Sequence, residues 1–361
     1  MYRKTYLKVD VDNYIKNAEK YIKHTCKKLM GIVKADAYGV GDYMMAKYLE
    51  KDGTDFFGVS SLEEALRLRR HEIKSDILIL SYVHDLNICK QNNFSVIIPN
   101  KIFIEEHKNN LKDIKVHIKI NTGLNRLGIK PEELKEVIEL LQKYNANIEG
   151  VMTHFACSEN EEITNKHFSL FKEAVIDSEF NFKYIHTSAT DAAIYLKDDI
   201  SNYIRIGLGL LGSSSFPELF PLLNVTTLNA EVIDCKQVSA GEGVSYHGQY
   251  VSDGKGYYLT CAIGYADGLD LRYSGKEVYV QGEIGIIVGC VCMDLIIVKV
   301  NNPYQVGSEI EIIGEHIPVL RRVKEIGNNA QKIITDLSDR VPRVYYVNGK
   351  EEKEITSRFI D

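Results

Sequence analysis

The chain has 361 residues and a formal net charge of −6, and 45% of its residues are hydrophobic. This length allows one large α/β domain plus a smaller one, and the charge lacks the basic excess that is typical of a nucleic-acid-binding surface. No run approaches the roughly 18 consecutive apolar residues of a membrane span. The first residues, MYRKTYLKVD, lack the continuous apolar core of a signal peptide.

The seven cysteines form neither a CxxC pair nor a cluster with the spacing of a zinc site. Cys290 and Cys292 lie too close in sequence for ordinary zinc ligation. We therefore expect free thiols in a reducing cytoplasm and no metal.

The first part of the chain alternates short apolar runs with charged stretches of helical length, among them 61–71 and 131–144. The apolar runs predict strands at 31–33, 56–60, 77–81, 95–98, 116–120, 148–153, 184–186 and 203–206. Eight strand–helix units fit a closed (β/α)8 TIM barrel. An open doubly wound sheet is the alternative, but no strand is followed by GxGxxG.

The pattern changes to period two after about residue 222, which predicts a mostly antiparallel C-terminal β domain. The predicted strands are 228–234, 256–263, 277–281, 284–288, 295–300, 309–313 and 343–347. We expect domains at 1–222 and 223–361, and residues 1–10 are candidates to pair with the C-terminal sheet.

Lys34 follows an apolar run directly and precedes a glycine-containing turn, in GIVKADAYGVG. Burying an unpaired ammonium is costly, so the simplest interpretation is a lysine that extends into solvent from a strand end. The functional alternative is a lysine facing a cavity, where its pKa falls and its amine can form a Schiff base with a carbonyl compound.

Other polar side chains also follow predicted barrel strands. In a TIM barrel the active site lies at these carboxyl ends, so we expect the side chains to meet around one opening. The set comprises Lys34, Lys119, Asn121, Arg126, His154, His186, Ser188, Thr190, Arg205 and Gly207.

Several short segments of the chain together resemble motifs of the alanine racemase family, the fold-type III pyridoxal-phosphate amino-acid racemases. VKADAYGVG resembles VKANAYGHG, HIKINTGLNRLG resembles HLKxDTGMxRLG, and IRIGLGLLG resembles VRPGIALYG. THFA, IGYADG and RVPR match directly, while GEGVSYHG and GCVCMD resemble GDxVGYGxT and GRVCMDQ. The resemblance implies a barrel, a β domain and a homodimer with shared active sites.

For the barrel, the resemblance implies that Lys34 carries pyridoxal 5′-phosphate and acts as one base. The cofactor phosphate would contact Tyr38, Thr190 and the backbone of Gly207 and Leu208, with Ser188 beside them. Arg205 would face the pyridine nitrogen, and His154 would lie near Arg205. Lys119 matches a carbamylated lysine that would orient Arg126 toward the substrate.

For the β domain, the resemblance implies that Tyr246 of the partner subunit is the second base. Met293 and Tyr265 would contact the substrate. The implied reaction is the two-base interconversion of L- and D-alanine, which supplies a D-amino acid for peptidoglycan.

Three positions depart from the family pattern. Asp339 replaces the tyrosine that closes the substrate pocket, Cys290 replaces an arginine, and Asp270-Leu271-Arg272 stands where an arginine follows YADG. An anionic Asp339 would attract a cationic substrate such as lysine, ornithine or arginine, or would hydrogen-bond serine. If Asp339 instead pairs with a nearby arginine, alanine remains the substrate.

A basic amino-acid decarboxylase is a further alternative, because such enzymes share the barrel and the cofactor lysine. The Cys292-Met293-Asp294 string superficially resembles their reactive Cys-Asp pair. Arg205 and Tyr246 favour racemisation.

Overall fold

A computed structural model describes residues 3–355, which divide into two compact units. Residues 3–14 and 224–355 form one unit, and Ile15–Leu223 form the other. The chain begins with β1 (Tyr6–Asp10) and α1 (Val11–Thr25). The division after Leu223 lies beside the point where the sequence changes to period two.

Eight parallel strands form a closed barrel in the second of these units. They are β2 (Lys28–Ile32), β3 (Phe56–Val59), β4 (Asp76–Ile79), β5 (Ser95–Ile98), β6 (Lys115–Lys119), β7 (Asn147–Met152), β8 (Tyr184–His186) and β9 (Tyr203–Ile206). Each strand pairs with the next, and β9 returns to pair with β2. The predicted TIM barrel is confirmed, and the open sheet is excluded by the β2–β9 pairing.

Helices connect the barrel strands. They are α2 (Lys34–Gly39), α3 (Asp42–Lys51), α4 (Leu62–Arg70), α5 (Leu86–Gln91), α6 (Lys101–His107), α7 (Leu134–Lys143), α8 (Glu161–Asp177) and α9 (Ala192–Tyr195). Ser61 caps α4, because its hydroxyl accepts a hydrogen bond from the backbone of Glu64. The predicted helix at 131–144 is divided into a 3₁₀ turn, Pro131–Glu133, and α7.

The other unit is built on a nine-stranded sheet in the order β13-β16-β15-β14-β17-β10-β1-β18-β19. Its strands after β1 are β10 (Thr226–Lys236), β13 (Tyr257–Cys261), β14 (Glu277–Val280), β15 (Glu283–Val288), β16 (Ile296–Val300), β17 (Glu309–Ile313), β18 (Arg343–Val347) and β19 (Lys350–Ile355). A separate hairpin joins β11 (Gly243–Val244) to β12 (Tyr250–Val251). Every pair is antiparallel except β1–β18, which is parallel.

The period-two pattern did not predict β11, β12 or β19. It also missed two helices of this unit, α10 (Val319–Ile326) and α11 (Ala330–Thr335). Two-residue strands are too short to show a period. None of the helices in residues 3–355 combines the length and hydropathy needed to cross a lipid bilayer.

Large side chains fill the barrel interior. Phe56 on β3 is 1% exposed, and its ring centroid lies 5.0 Å from that of Tyr184 and 5.8 Å from that of Tyr203. Met30, Ile32, Leu78, Ile97 and Met152 complete the cluster. The barrel is therefore a packed core, and chemistry is confined to its rim.

We expect Phe56→Ala to lower the free energy of unfolding by about 3–5 kcal/mol, because it leaves a cavity among side chains that cannot collapse. Ile102→Ala is the control, since Ile102 is 67% exposed. Urea denaturation followed by circular dichroism measures both. Equal midpoints for the two variants would contradict the packed interior.

Candidate active site

Lys34 lies just beyond β2, at the carboxyl end of the barrel strands, and is partly buried. Burial lowers the pKa of Lys34, and so do the positive charges of Arg126 and Arg205, while the carboxylate of Glu64 opposes the shift. A lysine amine in this setting is more readily deprotonated than one in solvent. The cavity-facing interpretation of Lys34 therefore gains support over the solvent-exposed one.

The backbone after Lys34 is wound left-handed. Ala35, Asp36, Ala37 and Tyr38 have φ values of 52°, 55°, 50° and 59°. L-residues in this conformation cost about 1–2 kcal/mol each, so the surrounding structure must hold the turn in place. Two backbone hydrogen bonds close it, from Ala37 N to Val33 O (2.9 Å) and from Gly41 N to Asp36 O (2.8 Å).

The turn directs Tyr38 onto the backbone beyond β9. A Cβ placed on Gly207 would lie 2.5 Å from the Tyr38 hydroxyl, so only glycine permits this approach. Burial raises the pKa of Tyr38 to about 12, so its hydroxyl stays protonated and can donate a hydrogen bond. Tyr38 therefore contacts the backbone at Gly207, and Leu208 begins the 3₁₀ turn that follows.

Two hydroxyls on the segment between β8 and β9 lie in the same part of the barrel. Thr190 Oγ1 accepts a hydrogen bond from Gly209 N at 3.0 Å, which ties it to the turn after Gly207. Ser188 is 2% exposed, and its Oγ lies 3.3 Å from Thr187 Oγ1. Backbone N–H groups and hydroxyls at such a turn form the type of donor set that holds a phosphate.

Arg205 is a buried cation whose guanidinium is held by strand ends. It is 4% exposed and donates to the carbonyls of His186 (2.7 Å), Thr187 (2.8 Å) and Thr153 (2.7 Å). Burial lowers the pKa of Arg205 to about 10, so it remains charged at neutral pH. The backbone carbonyls therefore fix its orientation.

The histidines beside Arg205 are neutral. Its terminal nitrogens lie 3.1 Å from His186 Nδ1 and 3.3 Å from His154 Nδ1. Burial, followed by the charge of Arg205, lowers the pKa of His154 to about 3, and the same causes lower that of His186 well below its usual value. Because arginine only donates, His186 must accept at Nδ1 and carry its proton on Nε2.

This tautomer fixes the next one. His186 Nε2 lies 2.8 Å from His117 Nδ1, so His186 donates and His117 carries its own proton on Nε2. His117 Nε2 is buried and has no hydrogen-bond partner in the described part of the chain. Arg205 thus determines the direction of both hydrogen bonds in the row Arg205–His186–His117. The sequence did not reveal this contact of His117, because the motif in which it lies does not show which side chain packs against it.

Four cationic side chains surround this opening: Lys34, Lys119, Arg126 and Arg205. Lys119 ends β6 and is 5% exposed; burial and the charges of Arg205, Arg126 and Lys34 lower its pKa to about 8. Arg126 is exposed on the following loop, where Asn121 Oδ1 accepts hydrogen bonds from Gly123 N (3.2 Å) and Asn125 N (2.9 Å). Such a field favours anionic ligands.

Tyr246 belongs to the β-sheet unit and lies in the loop of the β11–β12 hairpin. It is 66% exposed. Its neighbours Ser245 and His247 have φ values of 66° and 65°, so the loop turns sharply on both sides of it. Cys290 Sγ lies 3.8 Å from the Tyr246 carbonyl.

Tyr265 and Met293 are brought together in the same unit. Tyr265 N donates to Cys292 O and Ala266 N donates to Met293 O, both at 3.0 Å. Both side chains are about half exposed. A Cβ on Gly264 would lie 2.3 Å from Met293 O, so the glycine of IGYADG permits this approach.

A buried carboxylate joins these motif segments. Asp267 is fully buried; its Oδ1 pairs with Arg3 at 2.7 Å and with Arg340 Nε at 3.6 Å, and its Oδ2 accepts from Gly264 N at 3.0 Å. Arg340 also pairs with Asp294 at 2.7 Å. Sequence reasoning did not single out Asp267, although it lies inside a quoted motif.

Asp339 is exposed and lies between Ser338 and Arg340 on the loop before β18. Arg272, which follows the YADG motif, pairs with Asp270. Within residues 3–355, no group of three or more His, Cys, Asp or Glu side chains is arranged to hold a metal.

Comparison with known proteins identifies the family to which both parts of the chain belong. Residues 9–215 match the family described as alanine racemase, N-terminal domain, and residues 225–345 match alanine racemase, C-terminal domain. The chain belongs to the alanine racemase family.

Individual members are similar over their full length. The chain is 34% identical to an alanine racemase of Staphylococcus saprophyticus, covering 96% of this chain and 95% of that protein. Its structure resembles that of alanine racemase from Bacillus anthracis with bound L-Ala-P, with a TM-score of 0.92, 30% identity and coverage of 99% and 98%. It also resembles alanine racemase from Bartonella henselae with covalently bound pyridoxal phosphate, with a TM-score of 0.87, 25% identity and coverage of 95% and 99%.

Lys119 makes a pH-dependent contribution to stability. Its folded pKa of about 8 lies below the ordinary 10.5, so the unfolded chain binds more protons between these values and stability rises with pH in that window. Lys119→Met should remove up to about 1.4 kcal/mol per pH unit from that rise. Urea midpoints of cofactor-free protein in CO₂-free buffer from pH 7 to 10 test this. Parallel curves for wild type and variant would contradict it.

Proposed function

We propose that this protein is a pyridoxal-phosphate-dependent racemase that interconverts L- and D-alanine with two bases, Lys34 and Tyr246. The observation that carries the proposal is Lys34 at the barrel opening, with its pKa lowered by burial and by Arg126 and Arg205. The full-length similarity to alanine racemases supports alanine as the substrate.

The barrel residues fit the proposed cofactor. A phosphate dianion suits the donor set of Tyr38, Ser188 and Thr190 with the backbone at Gly207 and Leu208, and Gly207 allows the Tyr38 hydroxyl to approach this backbone. When bound, pyridoxal phosphate withdraws electrons from the substrate Cα and acidifies its proton. Lys34 would hold the cofactor.

The two bases act on opposite faces of the substrate, and each removes or returns the α-proton on its own face. Lys34 Nζ takes or returns the α-proton on one face, and burial together with Arg126 and Arg205 lowers its pKa, which makes the amine easier to deprotonate. Tyr246 Oη serves the opposite face. Arg126 attracts the substrate carboxylate, with the Met293 N–H and the Tyr265 side chain beside it.

Arg205 favours racemisation over decarboxylation. Its guanidinium stays charged and is held by three carbonyls, so it would offer the pyridine nitrogen of a bound cofactor a hydrogen-bond donor and no proton that is easily given up. The decarboxylases considered above carry an acidic partner there. An unprotonated ring nitrogen is a weaker electron sink, which limits side reactions such as transamination.

Lys119 is the proposed site of carbamylation. Only a neutral amine adds to CO₂, and a pKa of about 8 makes a fraction of Lys119 neutral at pH 7. The resulting anion would be stabilised by the surrounding cations and would orient Arg126. It would also replace a buried ammonium that lies among other cations by an anion that those cations can pair.

We propose a homodimer in which Tyr246 and Met293 of one subunit complete the barrel opening of the other. Lys34 and Tyr246 belong to different units of the chain, and Tyr246, Tyr265 and Met293 are exposed in this single chain. A two-fold pair would satisfy both sites at once. The product D-alanine would serve peptidoglycan synthesis, and seven free cysteines are consistent with the cytoplasm.

Racemase activity is tested directly by incubating the protein with pyridoxal phosphate and L-alanine, L-lysine, L-ornithine, L-arginine or L-serine. We expect D-alanine to form fastest by chiral chromatography. Faster turnover of a cationic amino acid would transfer the substrate assignment to that alternative and implicate Asp339. Release of CO₂ without a D-enantiomer would indicate a decarboxylase.

The same preparations locate the cofactor. Borohydride reduction followed by peptide mass mapping should place pyridoxal phosphate on Lys34, and Lys34→Ala should abolish both attachment and turnover. Lys28→Ala is the matched control, because Lys28 begins the same strand at the opposite end and is exposed. Attachment to another lysine would refute the assignment.

Shared sites are tested by mixing two inactive chains. Lys34→Ala and Tyr246→Phe each lack one base, but a heterodimer of the two contains one opening with both bases and one with neither. We expect co-expressed, doubly tagged heterodimers to recover up to about half of wild-type activity per dimer, as one of two sites is intact. Verified heterodimers without activity would show that each chain uses its own Tyr246.

A further inference from the structure

Glu64 connects two neighbouring loops at the carboxyl end of the barrel. One carboxylate oxygen, Oε1, accepts a hydrogen bond from Ala35 N at 2.8 Å, on the loop after β2. The other, Oε2, accepts from Ser60 N at 2.6 Å, on the loop after β3. A single side chain thus fixes the residue that follows Lys34 to the end of the adjacent strand.

Only part of this arrangement is an ordinary helix cap. Ser61 and Glu64 form a capping box, in which Ser61 Oγ accepts from Glu64 N and Glu64 Oε2 accepts from Ser61 N, both at 3.3 Å. The capping box uses only Oε2 of Glu64 and needs no contact by Oε1. Its bond to Ala35 N therefore serves the other loop.

Ala35 is the first residue of the left-handed turn, with φ at 52°. A strained backbone persists only where its surroundings hold it, and a charged acceptor makes a stronger bond to an N–H than a neutral one does. The bond to Glu64 thus acts at the point where the chain leaves Lys34 for the left-handed region.

Arg67, one turn further along α4, holds the other side of the same segment. Its guanidinium lies 3.4 Å from Asp36 Oδ1 and 3.2 Å from Asp42 Oδ1. Asp36 Oδ1 also accepts from Asp42 N at 3.1 Å. Helix α4 therefore contacts the left-handed turn at Ala35 and Asp36 through two charged side chains.

We propose that Glu64 is a positioning residue for the reaction, which fixes Lys34 by holding the left-handed turn to the end of β3. The inference rests on the proposed function in that it takes Lys34 as the cofactor lysine. Glu64 contacts backbone N–H groups, so its role is to orient Lys34 and to place a negative charge near it.

Glu64→Gln is the informative variant. Both carboxylate oxygens accept from N–H donors, so the glutamine NH₂ group must face one of those donors and one loop loses its bond. Glu63→Gln is the matched control, since Glu63 is the exposed neighbour on the same helix turn. Glu64→Asp keeps the charge but is one methylene too short to reach both loops.

We expect Glu64→Gln to lower kcat for alanine about tenfold or more, with KM changed much less, and to weaken pyridoxal-phosphate affinity in an absorbance titration. The acid limb of the pH–rate profile should move to lower pH, because the negative charge that raises the Lys34 pKa is gone. Glu64→Asp should keep the wild-type limb but lose kcat. Glu63→Gln should match wild type in all three measurements.

A measurement on cofactor-free protein separates this inference from the proposed function. The rate of Lys34 acetylation by acetic anhydride, followed by mass spectrometry across pH, should shift to lower pH in Glu64→Gln but not in Glu63→Gln. If wild type racemises no amino acid, the proposed function fails while this shift still decides whether Glu64 acts on Lys34. If Glu64→Gln does not fold, Glu64→Asp decides through its kcat. Variants of Glu64 that equal Glu63→Gln in kcat, cofactor affinity and Lys34 labelling would overturn the inference.

Discussion

The burial of the Arg205 guanidinium is the constraint on which the rest of the barrel opening depends. A buried cation is tolerated only when its donors are satisfied, and here three carbonyls from the ends of β7 and β8 accept from it. The adjacent histidines can then accept only as neutral rings, which fixes the tautomers of His186 and His117. Burial lowers the pKa values of Lys34 and Lys119, and the charge of Arg205 adds to both shifts. Arg205 thus fixes the tautomers of the neighbouring histidines, and its positive charge also acts on the two lysines.

The left-handed turn after Lys34 shows how a strained backbone is used. It directs Tyr38 toward Gly207, where a larger residue would collide with the ring. The cost of four left-handed residues is offset by hydrogen bonds and by charged contacts from α4, so the turn depends on tertiary structure rather than on its own sequence. Lys34 and Tyr38 are four residues apart in sequence, and the turn determines where each one points.

In the β-sheet unit the corresponding organiser is Asp267. Its buried carboxylate pairs with Arg3 and Arg340 and accepts from the Gly264 backbone, while Arg340 also reaches Asp294. Segments far apart in sequence are therefore fixed around Tyr265 and Met293. Tyr246 is held differently, by a short hairpin with two left-handed residues, which leaves its side chain exposed.

The sequence by itself determined the alternation of strand and helix, and with it the barrel, because apolar runs and capped amphipathic helices are local patterns. It also placed Lys34, Lys119, His154 and Arg205 at strand ends, since position along a strand is a local property. Only the tertiary structure decided that Glu64 reaches Ala35, that His117 completes the row from Arg205, and that Asp267 pairs with Arg3 and Arg340. These contacts connect residues from 29 to 264 positions apart, and no local pattern encodes which side chains meet across such separations. The sequence also did not predict the left-handed turn. Alanine, aspartate and tyrosine do not impose that conformation by themselves, and it is the surrounding structure that holds them in it.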